Sequence, residues 1–282
     1  MAGTGRTIAF VAVWAAASLC AVMLGAGLAA AFTCAPSCVT LDGSLPKDVP
    51  TANLGGATTG NITIPSGVGV LRSPNLFHSF GLFNVQTGGS VTFTRTSSTS
   101  QSLISNIIAR VTGGQSTIDG LLAVQGGALG FSATTNLYLL NPAGVMFTGG
   151  ARLNVPASFH VSSADYLRLG TVQFSSHAQP PGSGVPMSGF NAAPEAFGFL
   201  GNNPAAISVT QGSAVTSSLS VLATNTTATR VLSVVGGPIL ISTDVPGGVN
   251  PTASTIVAPG GRVQIVSVAS AGASLPCLAL PV

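Results

Sequence analysis

Beyond Phe32 the apolar residues recur at every second position, in short runs broken by Gly, Asn, Pro and Ser. Ser90 to Thr94, Asn136 to Leu140, Ser158 to Ser162 and Arg262 to Val266 show the pattern most clearly. A period of two sends successive side chains to opposite faces, so each run reads as a β-strand. β-branched residues within the runs and turn signals between them point the same way. No segment after Phe32 carries a long helical period. The pattern predicts an all-β chain, with a sandwich, a barrel and a parallel solenoid as the candidate architectures.

Three features favour the solenoid, a β-helix. The runs follow one another at about 8–12 residues, with Gly or Asn at the corners. Short glycine turns recur at Gly113-Gly114, Gly126-Gly127, Gly149-Gly150, Gly236-Gly237 and Gly260-Gly261. Glycine supplies the positive φ that such corners often need. Charge is nearly absent: 9 Lys+Arg and 6 Asp+Glu make up 5% of 282 residues, where about 25% is usual. Coils stacked at about 4.8 Å would set like charges against each other, whereas Ser, Thr, Asn and Val stack without that penalty. From the pattern alone a sandwich stays open. Gln179-Pro180-Pro181-Gly182-Ser183-Gly184 breaks the strands, and Phe190 to Asn203 is mixed; both read as an excursion from one solenoid.

The first residues differ in kind. Met1 to Thr7 holds one cation, Arg6, and an apolar run from Ile8 to Ala31 ends in Leu28-Ala29-Ala30-Ala31. Small residues before the cleavage point mark residues 1–31 as a signal peptide. The run is also long enough to span a bilayer, so an uncleaved anchor is the alternative. Residues 32–270 then form the β-helical domain, and 271–282, with Pro276 and Pro281, read as a C-terminal tail.

Composition narrows the chemistry. A formal net charge of +3 gives no field for nucleic acid. Cys34 and Cys38 flank Ala-Pro-Ser and can close a small disulfide loop in an oxidising compartment, which leaves Cys277 over. His78, His160 and His177 are far apart in sequence and suggest no metal site. His78, between Phe77 and Ser79 in an alternating segment, reads as a packed surface residue. Asp42, Asp48, Asp119, Asp165, Glu195 and Asp244 are dispersed. Asp165 and Arg168 are the nearest acid–base neighbours and read as a surface ion pair. No Gly-x-Ser-x-Gly motif or phosphate loop occurs. The expectation is a protein without catalytic residues or cofactor, and a polysaccharide-acting β-helical enzyme stays as an alternative.

Four segments, in order, carry a family resemblance. They are Ser73 to Phe80 with Phe83-Asn84-Val85, Asn106 to Gly120 with Arg110-Val111-Thr112-Gly113-Gly114, Asn136 to Phe147 with Asn141-Pro142-Ala143-Gly144-Val145, and Ala258 to Val263. Together they resemble the two-partner secretion domain at the N-terminus of filamentous haemagglutinin-like exoproteins, the haemagglutination activity domain family. The resemblance runs from about Val39 to Ala269. A second family motif, expected between Arg95 and Leu103, is replaced by Thr96-Ser97-Ser98-Thr99-Ser100.

The resemblance implies a right-handed parallel β-helix with an N-terminal cap and extra-helical strands. It implies export from a Gram-negative cell, through the periplasm, to the medium or cell surface. The implied partner is an outer-membrane β-barrel transporter with periplasmic recognition domains. Host or surface glycans or proteins would be adhesive targets. Residues Asn141 to Val145 would be the secretion motif, and Asn75, Phe77, His78, Phe80, Phe83 and Asn84 a secondary family segment. Read as residues, Asn141-Pro142-Ala143-Gly144 is a tight turn after a strand, with Asn141 bonding its own backbone two residues on. A passive surface protein held by an uncleaved anchor is the remaining alternative.

Overall fold

The computed structural model describes residues 38–46, 54, 60–96, 104–180, 188–210, 218–220, 230–242, 255–258, 261–272 and 274–276. They belong to one compact unit, 34–282. Residues 1–31, read as a signal peptide, and Cys34 lie outside the described residues. Among the described residues there is no α-helix, and a single 3-10 turn spans Ser66–Val68.

The chain opens with β1 (Cys38–Leu41), β2 (Asn61–Pro65), β3 (Val70–Arg72) and the long β4 (Asn75–Asn84), and β5 (Ser90–Thr94) completes a first coil. The second coil is β6 (Asn106–Val111), β7 (Ser116–Ile118) and β8 (Leu121–Val124). The third is β9 (Asn136–Leu140), β10 (Val145–Phe147) and β11 (Arg152–Asn154). A fourth begins at β12 (Phe159–Ser162) and leaves through β13 (Tyr166–Leu169), β14 (Val172–Ser175) and β15 (Pro194–Gly198) before β16 (Ile207–Thr210) and β17 (Ser218–Ser220). The fifth is β18 (Val231–Gly236), β19 (Ile239–Ser242) and β20 (Thr255–Val257). β21 (Arg262–Ser267) starts another coil, and β22 (Ser274–Pro276) leaves to join the excursion.

Three parallel faces result. The first stacks β4, β6, β9, β12, β18 and β21, the second β7, β10, β16 and β19, and the third β2, β5, β8 and β11. The predicted all-β, parallel solenoid is therefore the fold, and the runs picked out by alternation are strands of it. Each position in the first face sits on its counterpart one coil away. Leu76, Ile107, Leu137, Phe159 and Leu232 are in register and at most 1% exposed. Burying a Leu or Phe this completely contributes about 1.5–3 kcal/mol. At the N-terminal end the edge of β4 is closed by two antiparallel strands. β3 pairs with its first half and β1 with its second.

The other side of the first face is covered as well. The antiparallel sheet β14-β13-β15-β22 forms outside the solenoid. Its Leu167, Phe174 and Phe197 pack with Phe77, Ile108, Tyr138 and Leu140. The excursion thus begins at Tyr166, ahead of the break read at Gln179. Ser274–Pro276, within the segment read as a tail, is a strand paired with Ala196–Gly198.

A face buried on both sides must satisfy its polar groups internally. At one column it does so with an asparagine ladder. Asn106 Nδ2 donates to Asn75 Oδ1 at 2.9 Å, and Asn136 Nδ2 to Asn106 Oδ1 at 3.0 Å. Asn75 Nδ2 ends the ladder on Phe190 O and Ala192 O of the excursion, while Asn136 Oδ1 accepts from Ser158 N.

The corner glycines serve a different purpose from the one expected. Among the described residues of those pairs only Gly127 takes a positive φ, 95°. Gly113, Gly150, Gly236, Gly237 and Gly261 are instead required by close approach. A Cβ on Gly113 would lie 2.0 Å from Gly81 O, on Gly150 2.3 Å from Asp119 O, and on Gly237 1.8 Å from Pro204 O. Coils touch backbone to backbone at their corners, which leaves no room for a side chain.

Two adjacent residues separate these causes. Gly113→Ala should destabilise the domain by about 2–3 kcal/mol through overpacking. Gly114→Ala meets nothing within 4 Å and should change stability by less than about 0.5 kcal/mol. Urea unfolding of the two variants checks the difference.

Candidate functional site

The strand β9 is buried nearly throughout and ends where the chain must turn from the first face to the second. Asn141 makes that turn. Its carbonyl accepts from Gly144 N at 2.9 Å, closing a four-residue turn with Pro142 at the first central position. Its Oδ1 accepts from Ala143 N at 2.9 Å, the bond to its own backbone expected from the sequence. Gly144 has φ 94°, and a Cβ there would lie 2.5 Å from Ala206 O.

Asn141 also ties coils together. Its Nδ2 donates to Gly114 O at 3.0 Å and to Ser116 Oγ at 2.9 Å in the preceding coil. Its N–H donates to Ser162 O, at 2.9 Å, in the following one. The residue is 0% exposed, and Val145 beside it is equally buried, pairing with Ser116 and Ile207. Only Pro142 and Ala143 reach the surface. In the folded protein the expected secretion motif is a corner staple with its amide fully occupied.

The secondary segment lies entirely on β4. Asn75 heads the asparagine ladder, and Asn84 Oδ1 accepts from Thr117 N at 2.8 Å. Phe77 faces outward against Phe174 and Phe190, at ring distances of 4.8 and 5.5 Å. Phe80 and Phe83 face inward, 5.2 Å apart, and both approach Phe93. The segment and the Asn141 turn belong to different coils, separated by β6, and share no pocket. Cys38 is buried and disulfide-bonded; its pairing lies outside the described residues.

His78 corrects the surface reading. It points into the solenoid, 0% exposed, stacked near Phe80 at 5.9 Å and edge-on to Phe93 at 5.4 Å. Neither ring nitrogen has a hydrogen-bond partner. His160, on the outward side, stacks on Tyr138 at 4.4 Å, and its Nδ1 is unpaired. Burial pushes the His78 imidazole down to about 3 and that of His160 to about 4.

One polar centre was not read from the sequence. Arg110 is fully buried, although its neighbours Ile107, Ile108, Ala109 and Val111 on the strand are apolar. Its Nε donates to Ser79 Oγ at 2.6 Å, Nη2 to Ser44 Oγ at 2.6 Å and Nη1 to Ser175 O at 2.7 Å. Its guanidinium also lies 4.8 Å from the centre of the Phe174 ring. Ser44, Ser79 and Thr112 each donate to the Asp42 carboxylate. Burial works against that charge, but the bonds from Ser44 and Ser79 and the Arg110 charge outweigh it and hold the Asp42 carboxyl below its ordinary value. An arginine set among Ile107, Ile108, Ala109 and Val111 was the available signal, because a buried cation needs a partner.

The remaining carboxylates among the described residues are committed locally. Asp165 bonds His177 Nε2 at 2.6 Å and the N–H groups of Leu200 and Gly201, while Arg168 pairs with Glu195 at 3.4 Å. This replaces the expected Asp165–Arg168 pair: residues three apart on a strand face opposite ways. Asp119 accepts from Thr87 Oγ1 and Gly150 N. A groove of about 510 Å³ lined by Asn61, Thr87, Ser90 and Arg152 has no carboxylate among the described residues of its wall. Among the described residues no three His, Cys, Asp or Glu are grouped to hold a metal ion.

The family model described as TPS secretion domain matches residues 38–275. No curated protein and no solved structure matches the chain.

The two histidines give the fold an acid dependence of definite sign. Unfolded, each binds a proton below pH about 6.5. Folded, they bind one only below about 3 and 4. Stability is complete above pH 6.5 and falls as the pH drops from there toward the folded values, by about 2 kcal/mol per histidine at pH 5. Chemical denaturation at pH 7.5 and pH 5 should show this loss, and His78→Leu/His160→Phe should remove most of it.

Proposed function

Because the chain belongs to the TPS secretion domain family, we propose that it is the export address of a secreted exoprotein, read in the periplasm by its own outer-membrane transporter. Residues 1–31 deliver the chain to the periplasm as a signal peptide. Residues 32–270 are the secretion domain, and 271–282 follow it. The transporter is a β-barrel whose periplasmic domains take the segment Asn141 to Val145 as an extended strand added to a sheet edge. Asn75, Phe77, His78, Phe80, Phe83 and Asn84 serve as a second contact of the same kind.

The observation that carries this reading is the complete burial of Asn141. Its amide is spent on Gly114 O and Ser116 Oγ. A partner that reads this side chain must therefore meet it before the coils close. Folding then competes with the transporter for the same amide, and closing the third coil withdraws the address. Stacking of each coil on the last drives the outward passage without ATP. A short Cys34–Cys38 loop is small enough to be carried along. Outside the cell, the Ser-, Thr- and Asn-rich surface would contact host or surface glycans or proteins.

The test measures protein released into the medium of a Gram-negative host, with and without the cognate transporter. Release should require the transporter and drop several-fold for Asn141→Ala. Ser116→Ala removes one of the same folded-state bonds without altering the address, so it should lower stability by about 1 kcal/mol and leave release unchanged. Equal losses of release in both variants would assign Asn141 to folding alone. Retention in the periplasm with the transporter present would overturn the export reading.

A further inference from the structure

The turn at Asn141 sits between the two feet of the excursion. The chain leaves the solenoid after β12, whose Ser162 O accepts from Asn141 N at 2.9 Å. It returns at Ala205-Ala206, and Val145 N donates to Ala206 O at 3.3 Å. Ala206 O is also the atom that a Cβ on Gly144 would meet, at 2.5 Å, with the Ala205 methyl at 3.4 Å. Side chains close the neck of the excursion between the feet. Ser163 Oγ donates to Ala205 O at 2.7 Å, and the Asp165 carboxylate accepts from the N–H groups of Leu200 and Gly201. β16 follows the returning foot directly, and its Ile207, Ser208 and Val209 pair with Val145, Met146 and Phe147.

The two edges of β10 are therefore unlike. Val145 pairs with Ser116, 29 residues earlier, on one side and with Ile207, 62 residues later, on the other. Asn106 and Asn136, and Ile207 and Ile239, are paired across only 30 and 32 residues. Closing the third coil hides the Asn141 amide, but the far edge of Val145–Phe147 stays unpaired until β16 lands. An unpaired edge is a template for an added strand. We propose that β16 is the internal competitor that ends recognition. It takes the edge of Val145–Phe147 to which the transporter's strand is added, and the excursion sets the interval in which that edge is free. This inference rests on the export reading above. A longer connection alone costs little entropy. The delay comes from the neck, because β16 reaches β10 only once Ser163 and Asp165 hold the two feet together. β16 then wins the edge because it also places Ile207 and Val209 in the core, 0% and 2% exposed, which a strand from the transporter does not.

The test captures the full chain on immobilised periplasmic domains of the transporter that supports release, at intervals after dilution from denaturant. Wild-type chain should be captured at once and lose capture as it folds. Ile207→Ala should stay capturable several-fold longer, because β16 docks less firmly. Ile107→Ala makes the same truncation at an equally buried site on β6, away from β10, and should lose capture at the wild-type rate. Urea unfolding checks that the two variants are destabilised alike. Ser163→Ala leaves both strands intact and loosens only the neck, so it should prolong capture in the same direction even where Ile207→Ala fails to fold. Equal behaviour of Ile207→Ala and Ile107→Ala, or capture of fully folded wild-type chain, would overturn the proposal and leave the export reading standing. A wild-type chain that is never captured would overturn the recognition reading and this inference with it.

Discussion

Every residue in a stacked coil has a copy of its own environment about 4.8 Å above and below it, and this repetition governs the rest of the structure. It makes charge costly within the columns, because a charge would sit near the side chain one coil away. It makes amides favourable, because an asparagine can donate upward and accept from below, as Asn75, Asn106 and Asn136 do. It also fixes where side chains are forbidden. At the corners, carbonyls such as Gly81 O and Pro204 O point at the next coil, and only glycine leaves them room. The low charge, the frequent Asn and Ser, and the glycine pairs are three consequences of one geometry.

The same repetition explains what the sequence disclosed. Period two, short runs and glycine corners lead to a stack of parallel strands, and β5 and β9 coincide with runs visible in the pattern. The excursion was harder to place. Its strands β13 to β15 alternate like those of the coils, and periodicity does not distinguish an antiparallel hairpin from a parallel rung. His78 was misjudged for a related reason. Alternation normally separates an inner face from a wet one, but here the outer side of β4 is sealed by Phe174 and Phe190, and both faces are dry. The turn at Asn141 was legible because proline and glycine fix its local geometry. Its bonds to Gly114 and Ser116 were not, since they cross to another coil.

Two devices bury polar groups in this fold, and they behave differently. The asparagine ladder runs from coil to coil and ends on backbone groups, Phe190 O and Ala192 O at Asn75 and Ser158 N at Asn136. The Asp42–Arg110 centre is closed. Its hydroxyls come from Ser44 beside β1, Ser79 on β4 and Thr112 beside β6, and Ser175 of β14 supplies a carbonyl. Removing one partner of a buried charge pair leaves the other charge uncompensated and is strongly unfavourable. The centre is therefore satisfied only when the cap, the first two coils and the outer hairpin are all in place, whereas each Asn-to-Asn bond of the ladder needs only two successive coils.

That difference bears on the order in which such a chain can fold. Ladder partners are one coil apart in sequence, 31 residues from Asn75 to Asn106 and 30 from Asn106 to Asn136. A helix could form from any dozen residues, but a coil gains nothing until a full turn of chain can close on the one before it. The hairpin lengthens that wait in the fourth coil, where Ser158 meets Val231 across 73 residues. Short stretches of the sequence consequently have little to hold them folded on their own. The same dependence holds for Asn141, whose amide has its folded-state partners only once the coil carrying Gly114 and Ser116 lies beneath it.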